Sequence, residues 1–216
     1  MIAMILAAGR GERLRPITES MPKALVEVRG RSLLERHLDA VKAAGIDTVV
    51  INLGWLGEQI AARVGSGTRY GLAVVYSPEG EDILETGGGI QRALPILGND
   101  PFLVVNADVY TEMPLPTAIP ENSDGHLVLV PTPAHKDQGD FDLVKGRVAN
   151  VETPALTFSG IAVYRPEFFA DCAPGRFPLA PMLRRAADKS RLTGSTFDGV
   201  WEDVGTPQRL KKLNAV

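Results

Sequence analysis

The chain is poor in the side chains on which most nucleophilic and metal-thiolate chemistry relies. Among 216 residues there is one cysteine, Cys172, and there are three histidines. A lone cysteine excludes an intrachain disulfide and a cysteine metal cluster, which fits a reducing compartment, and Cys172 itself reads as a partly buried spectator. A charge excess of one sign is missing too. The 23 Lys and Arg against 26 Asp and Glu leave a net charge of -3, without the clustered basic surplus that nucleic acid or an anionic membrane surface calls for. Nor does any run approach the about 18 uninterrupted apolar residues of a membrane span. The amino-terminal MIAMILAAG has no basic residue ahead of its apolar stretch and meets charge at Arg10, so it lacks a secretory signal's layout. These absences predict a cytoplasmic protein with small-molecule partners and neither nucleic acid nor a membrane among them, a monomer or small homo-oligomer.

What is present is a core. At 44% hydrophobic the chain can bury the interior of one domain. Short, non-alternating apolar runs (IAMILAA, TVVINL, LAVVYS, FLVVNAD and HLVLVPT) read as strands buried on both faces. Between them, 32–44 carries a helical stripe of Leu33, Leu34, His37, Leu38 and Val41 that stops at Gly45. A second helix is predicted over 56–64, and a third over 88–94, ended by Pro95. The alternation implies a doubly wound α/β layer with a mostly parallel central sheet and helices on both faces. After Pro131 the pattern changes to short extended pieces with a hairpin turn at Lys145-Gly146, then helices over 179–188 and from Pro207. This half reads as an extension of the same sheet.

The stretch LAAGRGERLRP, 6–16, is a strand followed by a glycine-bearing turn, the setting in which backbone N–H groups hold an anion. A dinucleotide fingerprint would need a small residue at Leu14, and a P-loop would need Gly-Lys-Ser/Thr. Taken alone, the Gly-x-Gly pattern is equally an ordinary tight turn. The wider run LAAGRGERLRPITESMPKAL resembles the signature of sugar-1-phosphate nucleotidyltransferases. Gly9, Gly11, Arg13, Leu14, Pro16, Thr18, Pro22 and Lys23 fall on its pattern, while Glu12 stands where relatives carry Ser or Thr and Ile17 where they carry Leu. The resemblance implies a single Rossmann-like nucleotidyltransferase domain with a small β extension for the sugar: a nucleotide-binding half over about 1–110 and a sugar-binding half over about 111–216. It also implies transfer of a nucleotidyl group from a nucleoside triphosphate to a sugar 1-phosphate. The chemistry suits the residue types. Arg13 can grip phosphate oxygens in a fork, and Lys23 supplies a point charge at the α-phosphate. Gly9, Gly11 and the Glu12 amide would complete the phosphate cradle, with the Glu12 carboxylate turned toward Arg10, Arg15 or solvent.

FLVVNADVY puts Asn106 and Asp108 at the carboxyl end of a buried strand, where open α/β sheets bind ligands. VWEDVGTPQRL carries Asp203 ahead of a Gly-Thr-Pro turn, and the resemblance pairs it with Asp108 on one Mg²⁺, Glu202 being the neighbouring alternative. Without the family, the alternative reading of Asp203 is an acid at a helix start. No histidine stands in a catalytic setting: His37 and His126 read as structural, and His135 lies in a polar loop. None is required, because a phosphate monoester with a second pKa near ~6 is already a nucleophilic anion at neutral pH.

LETGGGI is a second glycine cluster; by resemblance, Leu84, Gly87 and Gly88 lie against the base and ribose, with 79–84 completing base recognition. For the acceptor sugar the resemblance points to Asn106, Asp140, Glu152 and Gly160, though Asp140 and Glu152 read equally as solvated loop charges. Within the family, the compact length and segments such as INLGWLGEQI, YSPEGEDILETGGGI and LTFSGI look most like members that transfer UMP from UTP to N-acetylmuramic acid 1-phosphate in cell-wall sugar recycling. Guanylyl transfer to mannose 1-phosphate, thymidylyl or cytidylyl transfer, and a catalytically silent nucleotide-sugar-binding subunit are the alternatives.

Overall fold

A computed structural model describes residues 1–80 and 82–215. Strand β1 (Ala3–Leu6) leads through 3-10 turns at Glu12–Leu14 and Lys23–Leu25, on either side of the short α1 (Ile17–Ser20), into the small pair β2 (Glu27–Val28) and β3 (Arg31–Ser32). Then come α2 (Leu33–Ala43), β4 (Thr48–Leu53), α3 (Gly57–Val64), β5 (Ala73–Pro78), α4 (Glu85–Leu97) and β6 (Phe102–Asn106). The second half comprises β7 (Val109–Thr111), β8 (Gly125–Pro131), β9 (Asp142–Val144), β10 (Arg147–Ala149), β11 (Leu156–Tyr164), α5 (Ala180–Asp188), β12 (Leu192–Thr196), β13 (Trp201–Asp203) and α6 (Pro207–Asn214).

Nine strands form one sheet in the order β5-β4-β1-β6-β11-β8-β12-β10-β9. The run β5 to β6 is parallel, and β12 lies parallel to β8; β11 is reversed between β6 and β8, and β10 between β12 and β9. Most strands therefore share one direction, yet the sheet is mixed rather than simply parallel. The cause is connectivity: the two-residue hairpin at 145–146 turns the chain back from β9 into β10, and 150–155 carries it on in that reversed direction into β11. The carboxyl-terminal half does extend the first sheet, as its short extended pieces imply.

Alternate residues of each central strand feed opposite faces. Ile5, Ile51, Val105, Val128 and Ile161 pack with Leu34, Leu38 and Ile60 of α2 and α3; Met4, Val50, Val104, Leu127 and Ala162 pack with Ile90 of α4 and Leu183 of α5. Helices thus cover both faces of a single α/β domain. Local signals account for the boundaries. Ser32 caps α2 in a reciprocal capping box with Glu35. Lys145 and Gly146, at φ 51° and 77°, make the two-residue hairpin turn. One boundary differs from expectation: α4 begins at Glu85 and runs through Pro95 to Leu97. Pro95 forfeits one bond in the last turn, where little helix remains to break, so the helix continues past it. No helix among the described residues is long and apolar enough to cross a membrane.

Candidate active site

Three adjoining cavities open over the carboxyl ends of β1 and β6 and share Asp108. One of about 710 Å³ is lined by Gly9 to Arg13, Lys23 and, opposite them, Ile83 and Arg176. A second of about 200 Å³ runs past Gly9, Lys23, Asn52, Glu79, Ile83, Glu85 and Thr86 to Asn106 and Asp108. A third of about 170 Å³ lies beyond Asn106 and Asp108, between His135, Lys136, Thr157, Ser159, Gly160, Trp201 and Asp203.

The glycine loop is built to expose its amides. Gly11 sits at φ 63°, and a Cβ there would come within 3.1 Å of the Lys23 Cβ, so glycine is needed both for the turn and for the approach of the lysine stem. The first bond of the turn runs from Leu14 N–H to Gly11 C=O (2.9 Å), which leaves the preceding amides as the free starting donors of a helical turn. Thr18 Oγ1 donates to the same carbonyl (2.8 Å), and Trp55 Nε1 donates to Thr18 C=O (2.9 Å). Arg13 is exposed on the wall of the large cavity. The Glu12 carboxylate lies 4.0 Å from Arg15 with both side chains more than half exposed, an outward placement in which its contribution to the loop is its amide.

Lys23 projects from the second 3-10 turn, 14% exposed, and its Nζ donates to Asp108 Oδ2 at 2.6 Å. Asp108 in turn is tied to Asp203. Its carbonyl accepts Val204 N–H at 2.8 Å, and the β7–β13 pairing sets Asp203 opposite Val109. The Asp203 carboxylate is held by Arg209 and by His135 Nε2, the latter at 3.2 Å. Both carboxylates face the third cavity. Carboxylate oxygens beside the glycine loop are the donor type that suits a divalent cation such as Mg²⁺; the ligand atoms that lie within 4.8 Å of one another are those of Glu202, Asp203 and His135, a group that does not include Asp108. Sequence reasoning did not anticipate Arg209 or His135 as supports of Asp203; α6 and the 132–141 loop supply them from afar.

The second glycine cluster works differently from the expectation. Gly87 and Gly88 N–H both donate to Phe177 C=O (3.1 Å each), and Phe177 N–H returns a bond to Leu84 C=O (3.1 Å). A Cβ on Gly87 would meet the Phe177 ring at 2.4 Å, and one on Gly88 the Gly175 carbonyl at 2.2 Å. These glycines make room for the 175–177 loop, and neither they nor Leu84 are among the residues that line the cavity beside Ile83, Glu85 and Thr86. That docked loop delivers Arg176, whose Nε donates to Glu85 (2.8 Å), to the large cavity. Beneath lies a relay that composition and spacing did not reveal. Ala7 N–H donates to Asn52 Oδ1 (2.6 Å), Asn52 Nδ2 to Glu79 Oε1 (2.6 Å), and Leu84 N–H to Glu79 Oε2 (2.7 Å). Of the expected base segment, Glu81 lies outside the described residues.

On the acceptor side, Asn106 and Gly160 come together as expected. Gly160, at φ 80° in the irregular stretch of β11, has no room for a Cβ, which would sit 2.6 Å from Asn106 Nδ2. Asp140 and Glu152 do not line the three cavities. Glu152 is exposed. Asp140 accepts from Phe158 N–H (2.9 Å) and from Lys136 (3.0 and 3.2 Å), and of this pair Lys136, not Asp140, lines the third cavity.

With a glycine loop, Lys23, Asp108 and Asp203 gathered around adjoining cavities, the chain matches the family model of the MobA-like NTP transferase domain over residues 3–138. It belongs to that family of nucleotidyltransferases, whose members generally use a divalent metal. More particularly, it is 46% identical to the N-acetylmuramate α-1-phosphate uridylyltransferase of Neisseria meningitidis serogroup B, over 100% of this chain and 98% of that protein. It is 37% identical to the protein of the same name from Caulobacter vibrioides, over 96% and 93% of the two chains. The crystal structure of HddC from Yersinia pseudotuberculosis shares the fold, with a TM-score of 0.80 at 20% identity over 99% and 98% of the chains.

Proposed function

We propose that this enzyme transfers UMP from UTP to N-acetylmuramic acid α-1-phosphate, giving UDP-N-acetylmuramic acid and pyrophosphate, in cytoplasmic recycling of cell-wall sugars. The observation that carries the reading is the position of Asp108, where the phosphate-loop cavity, the cavity along Ile83 to Thr86 and the cavity under Gly160 meet. The full-length similarity to uridylyltransferases named for N-acetylmuramate supports the choice of base and sugar. The first half of the chain then chiefly serves the nucleotide and the second the acceptor, with Asn106 of the first half joining the acceptor and Arg176 of the second reaching the triphosphate.

In this reading the Gly11, Glu12 and Arg13 amides hold the triphosphate, and the Arg13 guanidinium offsets charge on its terminal oxygens. Arg176 faces the same tail from the opposite wall. Lys23 neutralises the α-phosphate, released from Asp108 as substrate enters. Asp108 and Asp203 would hold Mg²⁺, which when bound supplies charge compensation for the α-phosphate and the departing pyrophosphate. Asn106 and the Gly160 strand orient the acceptor, whose phosphate oxygen forms the new bond to the α-phosphorus as the bond to the β-phosphate oxygen breaks. No side chain need remove a proton, since the nucleophile is already anionic.

The test is pyrophosphate release from a matrix of four nucleoside triphosphates against N-acetylmuramate, N-acetylglucosamine, glucose and mannose 1-phosphates. UTP with N-acetylmuramate 1-phosphate is expected to give the highest kcat/KM; a different best pair reassigns base or sugar, and nucleotide binding without any turnover overturns the enzymatic reading.

A further inference from the structure

We infer that Lys136 selects an acceptor bearing a carboxylate in addition to its phosphate, with Asp140 as the residue that positions it. The inference rests on the acceptor cavity being read as above. Most of that cavity's wall (Asn106, Thr157, Ser159, Gly160 and Trp201) is neutral, and neutral donors and acceptors are sufficient for sugar hydroxyls and a ring face. Its carboxylates, Asp108 and Asp203, belong to the metal centre. Two basic side chains remain. His135 Nε2 lies 3.2 Å from an Asp203 oxygen and 3.0 Å from Arg209 Nη1, so that nitrogen already has a protein partner, whichever of the two its tautomer selects.

Lys136 is held differently. Its Nζ lies 3.2 Å from Asp140 Oδ1 and 3.0 Å from Oδ2, and Oδ2 also accepts the Phe158 N–H of β11. The carboxylate is thereby pinned to the sheet and fixes the ammonium on the cavity lining. An ammonium carries three N–H donors, and a single carboxylate can occupy two, which leaves one for a ligand in the cavity. The acceptor's phosphate is a poor match for that donor. It must reach the α-phosphate of the nucleotide, where Lys23 and Asp108 join the cavities, whereas Lys136 lines the acceptor cavity alone. A second anionic group on the sugar does match it. The ligand class is an amino-sugar 1-phosphate carrying a carboxyalkyl ether. Muramate, the lactyl ether of glucosamine, is of this class, whereas N-acetylglucosamine 1-phosphate lacks the carboxylate.

The experiment compares kcat/KM for N-acetylmuramate 1-phosphate and N-acetylglucosamine 1-phosphate at saturating UTP in wild type, Lys136→Gln, Lys136→Arg and Asp140→Asn. A charge-assisted hydrogen bond is worth roughly 10- to 100-fold, so the muramate-over-glucosamine ratio is expected to fall by about that factor in Lys136→Gln. It should fall by a smaller factor in Asp140→Asn and largely survive in Lys136→Arg, with the KM for UTP unmoved throughout. An unchanged ratio in an active Lys136→Gln enzyme overturns the inference, whether both acceptors lose equally or neither loses. If the substitutions impair folding, the unaltered protein decides. Calorimetry of N-acetylmuramate 1-phosphate against its lactyl carboxamide should show about tenfold or more weaker binding of the amide, and equal binding overturns the inference. Failure of the uridylyl-transfer reading would show separately, as a wild type inactive with both acceptors.

Discussion

The buried relay along the cavity that runs past Ile83, Glu85 and Thr86 makes a sharp prediction, because its donors and acceptors can be counted. Both ends are backbone N–H groups, from Ala7 and Leu84, and the side chains between them are Asn52 (3% exposed) and Glu79 (6% exposed). As built, Asn52 accepts from Ala7 and donates to one Glu79 oxygen, and the other Glu79 oxygen accepts from Leu84, so each polar atom meets its complement. Glu79→Gln breaks the count. The glutamine offers one acceptor to two incoming donors, and flipping Asn52 only moves the clash to Ala7 N–H. One buried donor is left facing another, at a cost of about 1–3 kcal/mol, which in a chain of this size lowers Tm by roughly 2–12 °C. The count also names its own rescue. In the double variant Asn52→Asp/Glu79→Gln, the aspartate accepts from Ala7 and from the glutamine amide, and the glutamine oxygen accepts from Leu84. Total charge is conserved and every donor is matched. Thermal melts and urea titrations of wild type, both single variants and the double variant measure the coupling, which should be about 1 kcal/mol or more in favour of the double variant. The KM for UTP should follow the same pattern, because Leu84 N–H fixes the approach to the Ile83–Thr86 wall. A double variant as unstable as the sum of its parts would refute the complementarity argument.

Asp108→Asn should lower kcat by orders of magnitude in a pyrophosphate-release assay while the protein still melts cooperatively, since it removes charge from the proposed metal centre and from the partner of Lys23; activity within a few-fold of wild type would take Asp108 out of that centre. Glu12→Thr should leave the Kd for UTP within about twofold, because the carboxylate points outward and the pair with Arg15 is of the exposed kind worth little; a tenfold loss measured by calorimetry would mean that the carboxylate itself contacts the nucleotide. Glu35 supplies the pH dependence. Burial alone would raise its pKa, but hydrogen bonds from Arg63, Ser32 and Tyr70 hold it at about 2, against 4.5 ordinarily. Its stabilising contribution, on the order of 2–3 kcal/mol, is therefore complete above about pH 4.5 and lost as the pH falls toward 2. The urea midpoints of wild type and Glu35→Gln should converge over that range, and parallel curves would exclude Glu35 as the source.

Periodicity made the central strands and α2 legible, because burial on both faces of a sheet demands unbroken β-branched runs and a covering helix demands a stripe. Spacing likewise singled out Gly11, Lys23 and Asp108, which the fold brings together on the lining of one cavity. The second layer of the site was not legible, for a physical reason. Arg209, His135 and Arg176 act by reaching across from other elements, and nothing in a neighbourhood of sequence distinguishes such an arginine from a solvated one. The glycines of α4 show the opposite failure: a cluster that matches a ligand-contacting pattern is also what the close approach of Phe177 and Gly175 requires, and sequence cannot say which neighbour the missing Cβ makes room for. Asp140 combines both problems. A carboxylate in a polar loop suits a sugar hydroxyl as a type of residue, but whether it contacts substrate or holds the residue that does depends on which side of β11 its loop crosses. Here the carboxylate accepts from Phe158 N–H and from Lys136 Nζ, and of the pair it is Lys136 that lines the cavity.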